Sequence, residues 1–112
     1  MAEFIPVNEP VLDGNEKAYL DRCIETGWIS SEGPAVQEFE EKLAAQVGRE
    51  FGVAVSNGSA ALELAVRALR LAAGSEVIMP AFTIISCAAA IVRAGLVPVL
   101  VDADPITWNM DP

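Results

Sequence analysis

Apolar residues fall at helical spacing twice in the first half of the chain. Ala18, Tyr19, Cys23 and Ile24 make one stripe. Ahead of them Asp13, followed three residues later by Glu16, has the look of a capping box, and Gly27 closes the pattern. These signals predict a helix over 14–26. Gly33-Pro34 opens a second, since proline is accepted at the first helical position, and Val36, Phe39, Leu43 and Val47 form a stripe that stops at Gly48. That predicts a helix over 34–47. Between the two, Trp28-Ile29-Ser30-Ser31-Glu32 reads as a loop carrying an aromatic.

From residue 51 the pattern changes to short, valine-rich apolar runs alternating with helical ones. Residues 51–55, 77–79 and 97–101 read as strands, and the lack of polar alternation within them suits strands covered on both faces, as in a parallel sheet. Helices are expected over 60–73 and 83–94, closed by Gly74 and Gly95 in left-handed positions. The connections are long enough for parallel crossovers, so residues 51–112 read as βαβαβ, with right-handed crossovers expected. The fold class is therefore α/β, with a helical segment over 1–50 and the first part of a larger α/β domain over 51–112. Three strands with two crossover helices leave apolar faces bare, so either the early helices cover them or more polypeptide completes the sheet. The second is expected, because the sequence stops just after an apparent turn at Asn109-Met110-Asp111-Pro112.

Composition narrows the choice. At 112 residues and 53% hydrophobic the chain suits one compact domain and is no disordered tail. Its net charge of −9 argues against a nucleic-acid backbone or an anionic membrane as partner. That charge sits mostly in the first fifty residues, so the second half carries the core. There is no histidine, and Cys23 and Cys87 are far apart in helical stretches, which excludes the common zinc spacings and reads as two buried thiols in a reducing compartment. The longest uncharged run, 77–92, contains Pro80 and is shorter than the ~20 residues that span a bilayer, and no signal-like start is present. A soluble, cytoplasmic protein is expected.

One stretch carries chemistry. In Val55-Ser56-Asn57-Gly58-Ser59-Ala60-Ala61-Leu62 a strand ends, a small polar turn follows and a helix begins. The backbone N–H groups of Gly58, Ser59 and Ala60 are expected to face outward at a helix N-terminus, whose dipole favours an anion, with the Ser59 hydroxyl as a further donor. A serine there is also an ordinary N-cap. The stretch is neither a dinucleotide fingerprint nor a P-loop, and it lacks the glycines of a nucleophile elbow. A second strand end, Met79-Pro80-Ala81-Phe82-Thr83-Ile84, falls on the same rim of such a sheet, so Ser59 and Phe82 are placed to flank one ligand. Asp102 and Asp104, at the third strand end, read either as a carboxylate pair for a cation or as a solvated turn before Pro105.

Taken together, Ile5-Pro6-Val7, Gly27-Trp28-Ile29-Ser30, the 55–62 stretch, Glu76 to Pro80 with Phe82-Thr83, and Pro98 to Asp102 resemble the start of the DegT/DnrJ/StrS family of sugar-nucleotide aminotransferases. Trp28 to Gly33, Thr83 to Cys87 and Thr107 to Met110 look most like its GDP-perosamine synthase branch, which serves polysaccharide and O-antigen synthesis. The resemblance implies the large domain of a fold-type I enzyme with pyridoxal 5′-phosphate as cofactor, glutamate as amino donor, a keto sugar nucleotide as acceptor and a homodimer as the working form. It further implies that Gly58, Ser59 and Ala60 hold the cofactor phosphate, that Phe82 or Ile84 lies against the pyridine ring, and that Trp28, Ile29 and Ser30 line the substrate pocket. Ile84 stands where an aromatic is common, and Ser59 where threonine is usual. The lysine that joins the cofactor and the aspartate that partners the pyridine nitrogen are expected beyond residue 112, because Lys17 and Lys42 lie on polar helix faces and Asp102 does not match that aspartate. The chain alone is then expected not to transaminate. A stand-alone, non-catalytic module for assembly or weak phosphate binding is the alternative.

Overall fold

The computed structural model describes residues 4–111. Their order is α1 (Glu16–Thr26), α2 (Pro34–Gln46), α3 (Gly58–Ala68), β1 (Glu76–Pro80), α4 (Ile85–Arg93) and β2 (Val97–Val101). The chain divides into two compact units, Met1–Ala54 and Val55–Pro112.

In the first unit the two helices fall where the apolar spacing puts them, with shorter ends. The N-cap of α1 is Asn15, not Asp13, and it makes no side-chain cap bond. Instead the Glu16 carboxylate accepts from the Gly14 N–H at 3.0 Å, and the expected Asp13–Glu16 capping box does not form. Pro34 opens α2 as expected. At its far end Gly48 N–H donates to Ala45 O and Arg49 N–H to Ala44 O, which satisfies two carbonyls that the helix leaves free. The Arg22 guanidinium of α1 reaches Glu38 of α2 at 3.0 Å, and Lys42 meets the same carboxylate at 2.6 Å. Ala44 is the buried residue of this unit among those described.

The expected strand over 51–55 does not form: among the described residues these take no regular secondary structure and pair with no strand. Their backbone is engaged elsewhere. The Ala54 N–H donates to the Glu40 carboxylate at 2.6 Å, and Gly52 lies so close to α2 that a Cβ there would sit 2.5 Å from the Glu40 carbonyl oxygen. A donor given to a side chain is lost to a ladder.

The second unit is built on β1 and β2, which pair in parallel with Glu76 opposite Val97 and Pro80 opposite Val101. Together with α4 they make the expected βαβ step, so one crossover of the predicted βαβαβ is present as a sheet. Two backbone bonds extend the pairing backwards, Gly74 N–H to Gly95 O at 2.8 Å and Val97 N–H to Ser75 O at 3.0 Å. This pairing also explains why α3 stops at Ala68 instead of running to 73. The chain has to turn into β1, and it does so with Arg70 at φ 50° and Gly74 at φ 80°. Gly74 thus serves the turn, not the helix cap that the sequence suggested.

Gly95 is the helix terminator it was expected to be. At φ 77° its N–H donates to Val92 O while Leu96 N–H donates to Ile91 O, and the Leu96 and Ile91 side chains then meet in the core. That core is Met79, Ile91 and Leu96, flanked by Val66, Val77, Cys87, Ala88 and Ala94. Coverage of the strands on both faces is not observed: between half-buried Val77 and buried Met79, Ile78 is 58% exposed, and Leu100 on β2 is 62% exposed. The alternation along β1 is that of a sheet packed on one side. Cys23 and Cys87 are free and half-buried. Among the described residues no helix is long and apolar enough to cross a membrane.

Candidate functional site

The site assembles where two helices of the second unit begin. Asn57 caps α3: its backbone is extended at φ −167° and its Oδ1 accepts from the Ala60 N–H at 2.9 Å. The Ala61 N–H donates to the Asn57 carbonyl at 3.1 Å. A helix leaves its first four N–H groups without internal partners. The Ala61 bond is the first of the helix itself, and the Asn57 side chain takes the last of the four, Ala60, so the Gly58 and Ser59 N–H groups remain within the helix. The expectation of three outward N–H groups is thereby corrected to two. Asparagine's short amide side chain reaches back to its own helix, which makes Asn57, not Ser59, the cap.

The Ser59 hydroxyl, left free by that arrangement, lies 2.9 Å from the Ser86 hydroxyl. Ser86 belongs to the first turn of α4, so the N-termini of α3 and α4 stand side by side. At their other ends the same pair is held by Arg67, which donates to the Arg93 carbonyl at 2.9 Å, and by Glu63, which pairs with Arg67 at 3.0 Å and with Arg93 at 3.6 Å. Basic residues therefore occupy both last turns, and neither first turn carries an acid. The positive ends of two helix dipoles converge with no carboxylate in either first turn to neutralise them, and an anion is the natural complement.

Around this point the other expected residues separate. Phe82 packs against Trp108, ring centroids 5.1 Å apart and planes at 57°. Trp108, to which the sequence gave no site role, reaches it from a short hairpin that closes at Ala103 and Met110. Ile84 is the N-cap of α4 and is 67% exposed with no polar role. Thr83 bonds Cys87 at 3.5 Å. Asp104 closes the hairpin: its Oδ1 accepts from the Thr107 N–H at 2.6 Å and the Ile106 N–H at 3.0 Å, and these bonds hold its carboxyl below the usual aspartate range. Asp102 turns its Oδ1 to the Ala103 N–H at 2.8 Å. Both aspartates thus serve the turn.

In the first unit Trp28 is 51% exposed and lines a groove of about 570 Å³ with Ser31, Gly33, Val36 and Gln37. Ile29, 81% exposed, is not part of that groove, and the Ser30 hydroxyl accepts from the Glu32 N–H at 3.3 Å. Lys17 is paired with Asp21 and Lys42 with Glu38. Of the residues expected at the site, the structure brings together Gly58, Ser59 and the start of α4. Ser86 is the member that sequence reading missed, because a serine in an apolar helix gives no signal until its neighbour is known.

Comparison with known proteins adds the family. Over 108 residues the chain is 44% identical to the GDP-perosamine synthase of Escherichia coli O157:H7, covering 96% of this chain and 30% of that protein. It is 45% identical over 107 residues to the GDP-perosamine synthase of Caulobacter vibrioides, covering 96% and 29%. The chain thus spans about a third of the length of these relatives. Its fold superposes on the E. coli GDP-4-keto-6-deoxy-D-mannose-3-dehydratase with bound hydrated pyridoxal phosphate at a TM-score of 0.84 and 28% identity, over 95% of this chain and 28% of that one.

Pyridoxal 5′-phosphate is the cofactor these likenesses indicate, and the donor set fits its phosphate: two unspent backbone N–H groups, hydroxyl side chains and no opposing carboxylate in either first turn. The family model matches residues 10–112, and the chain belongs to the DegT/DnrJ/EryC1/StrS aminotransferase family.

Proposed function

We propose that this chain is the N-terminal, phosphate-holding portion of an aminotransferase that uses pyridoxal phosphate and glutamate to aminate a keto sugar nucleotide of the GDP-4-keto-6-deoxymannose type. The observation that carries the reading is the first turn of α3, where the Gly58 and Ser59 N–H groups are left free at a positive helix end beside the Ser59 hydroxyl, which is bonded to Ser86. The perosamine synthases, at 44% and 45% identity, support the substrate class. The working form is a homodimer in the cytoplasm.

When bound, the cofactor supplies the electron sink for amino transfer. The residues of this chain bind and orient it. Gly58 and Ser59 would hold its phosphate. Ala60 shapes the turn without lending its N–H, which Asn57 holds. Phe82 is engaged by Trp108, so the exposed Ile84 gives the apolar contact to the ring and Phe82 buttresses the rim beside it. Trp28, Ile29 and Ser30 serve the sugar nucleotide. Neither lysine is the reactive amine, since both are tied into surface ion pairs. That amine and the acid facing the pyridine nitrogen are assigned to polypeptide outside these residues.

The test is incubation of the full-length protein with cofactor, glutamate and GDP-4-keto-6-deoxymannose, with products resolved by mass spectrometry. The expected product is the amino sugar nucleotide with stoichiometric 2-oxoglutarate. A deoxygenated sugar, as the dehydratase likeness allows, would overturn the amination reading, and cofactor-bound protein without turnover would favour the non-catalytic module.

A further inference from the structure

Ser59 and Ser86 stand 27 residues apart in sequence, yet their hydroxyls are 2.9 Å apart. The two are not equivalent. Ser59 is exposed, and serine lacks the β-branch that stiffens χ1, so nothing local fixes its rotamer. Ser86 is half-buried on α4, a helix anchored by buried Ala90 and Ile91. A hydroxyl has one proton to give and can accept as well. When Ser86 donates to Ser59, the Ser59 proton is free to point outward to an anion. When Ser59 donates to Ser86, its proton is spent inside the pair. An anion at the start of α3 selects the first arrangement, and the chain Ser86 to Ser59 to anion then polarises in one direction.

We propose that Ser86 is a positioning residue for the cofactor phosphate, holding Ser59 in the rotamer and donor sense that the phosphate requires. The proposal rests on the reading of the α3 turn as the phosphate site. It makes α4 part of the phosphate-binding apparatus through a single hydroxyl, and it makes the effect of Ser86 depend wholly on Ser59.

The experiment titrates the full-length protein with pyridoxal 5′-phosphate and, separately, with pyridoxal, which lacks the phosphate, following cofactor absorbance. Ser86→Ala is expected to weaken pyridoxal phosphate binding by roughly threefold to tenfold, the range of one neutral hydrogen bond, and to leave pyridoxal binding unchanged. Ser86→Thr, which keeps the hydroxyl, should bind like the parent. Ser86→Cys, nearly the size of serine with a weak hydrogen-bonding group, should behave like the alanine variant and guards against a packing artefact. The double variant Ser59→Ala with Ser86→Ala should bind no more weakly than Ser59→Ala alone. Equal losses for both ligands would assign Ser86 a structural role and overturn the proposal, as would additive losses in the double variant. If Ser59→Ala weakens pyridoxal phosphate binding and Ser86→Ala does not, the proposal fails while the phosphate site stands. If Ser59→Ala itself has no effect, both fall.

Discussion

The two units solve the same problem, two helices to be held in place, by different means. In Met1–Ala54 the helices are linked through charge: Arg22 and Lys42 share Glu38, all three exposed enough for water to compete, and Phe39 and Leu43 remain 55% and 45% exposed. In Val55–Pro112 the helices close on apolar side chains, with Met79, Ile91 and Leu96 each under a tenth exposed. Surface ion pairs contribute little because water screens them and the long side chains lose freedom, whereas buried methyl groups have no comparable alternative in water. The unit with the packed apolar core is the one that carries the helix starts with the unspent donors, and a preorganised anion site needs such packing behind it.

The widest gap between the units should appear on removing apolar volume. Ile91→Ala is expected to cost about 2–4 kcal/mol, since it opens a cavity between α4 and Leu96, while Phe39→Ala in the first unit should cost less than half as much. Denaturant unfolding of both variants measures the difference, and equal losses would erase the contrast. Two glycines sharpen it at the backbone. Gly52→Ala should cost about 1–3 kcal/mol because the new Cβ meets the Glu40 carbonyl at 2.5 Å and α2 has to give way. Gly95→Ala should cost about 1 kcal/mol, from the left-handed φ of 77° alone, because no atom lies within 4 Å of the new Cβ.

The smallest effect is a difference in pH response. Glu38 is held below the usual carboxylate range by its bond to Lys42, then by Arg22, and Lys42 is held above the usual lysine range by Glu38. A depressed carboxylate stabilises above its unfolded pKa and loses that contribution as pH falls through the folded value. A raised lysine stabilises below its unfolded pKa and loses it as pH climbs through the folded one. The first unit should therefore weaken slightly at both ends of the pH range. Asp104, depressed chiefly by the Thr107 backbone N–H, has no titrating partner at alkaline pH, so its hairpin should weaken in acid only. Carboxyl 13C shifts across pH separate the two: a Glu38 signal that moves again above the lysine range is expected, and an Asp104 signal that does so would contradict the hairpin geometry.

Much of the fold was legible along the chain because its signals are local. Pro34 at a helix start, Gly27, Gly48 and Gly95 at helix ends, and the valine runs at 77 and 97 depend only on backbone stereochemistry and on periodicity, which each segment carries by itself. The strand expected over 51–55 failed because pairing is a property of two segments. Phe51 to Val55 has the composition of a strand, yet Glu40, eleven residues or more away in sequence, claims its Ala54 N–H. The site was legible to the same extent. Gly58 and Ser59 announce a helix start open to an anion, and the family resemblance lent that anion an identity.

What the amino-acid order determined unaided is therefore most of the elements, the positive helix end after Asn57 and the placing of the chain's two lysines, Lys17 and Lys42, in its early helices. What folding in three dimensions decided is which donors remain free and what steadies them. Trp108 took Phe82, and Ser86 came to Ser59. Hydrogen-bond partners and ring contacts act over a few ångströms, and residues dozens of positions apart reach that range only when helices and strands pack.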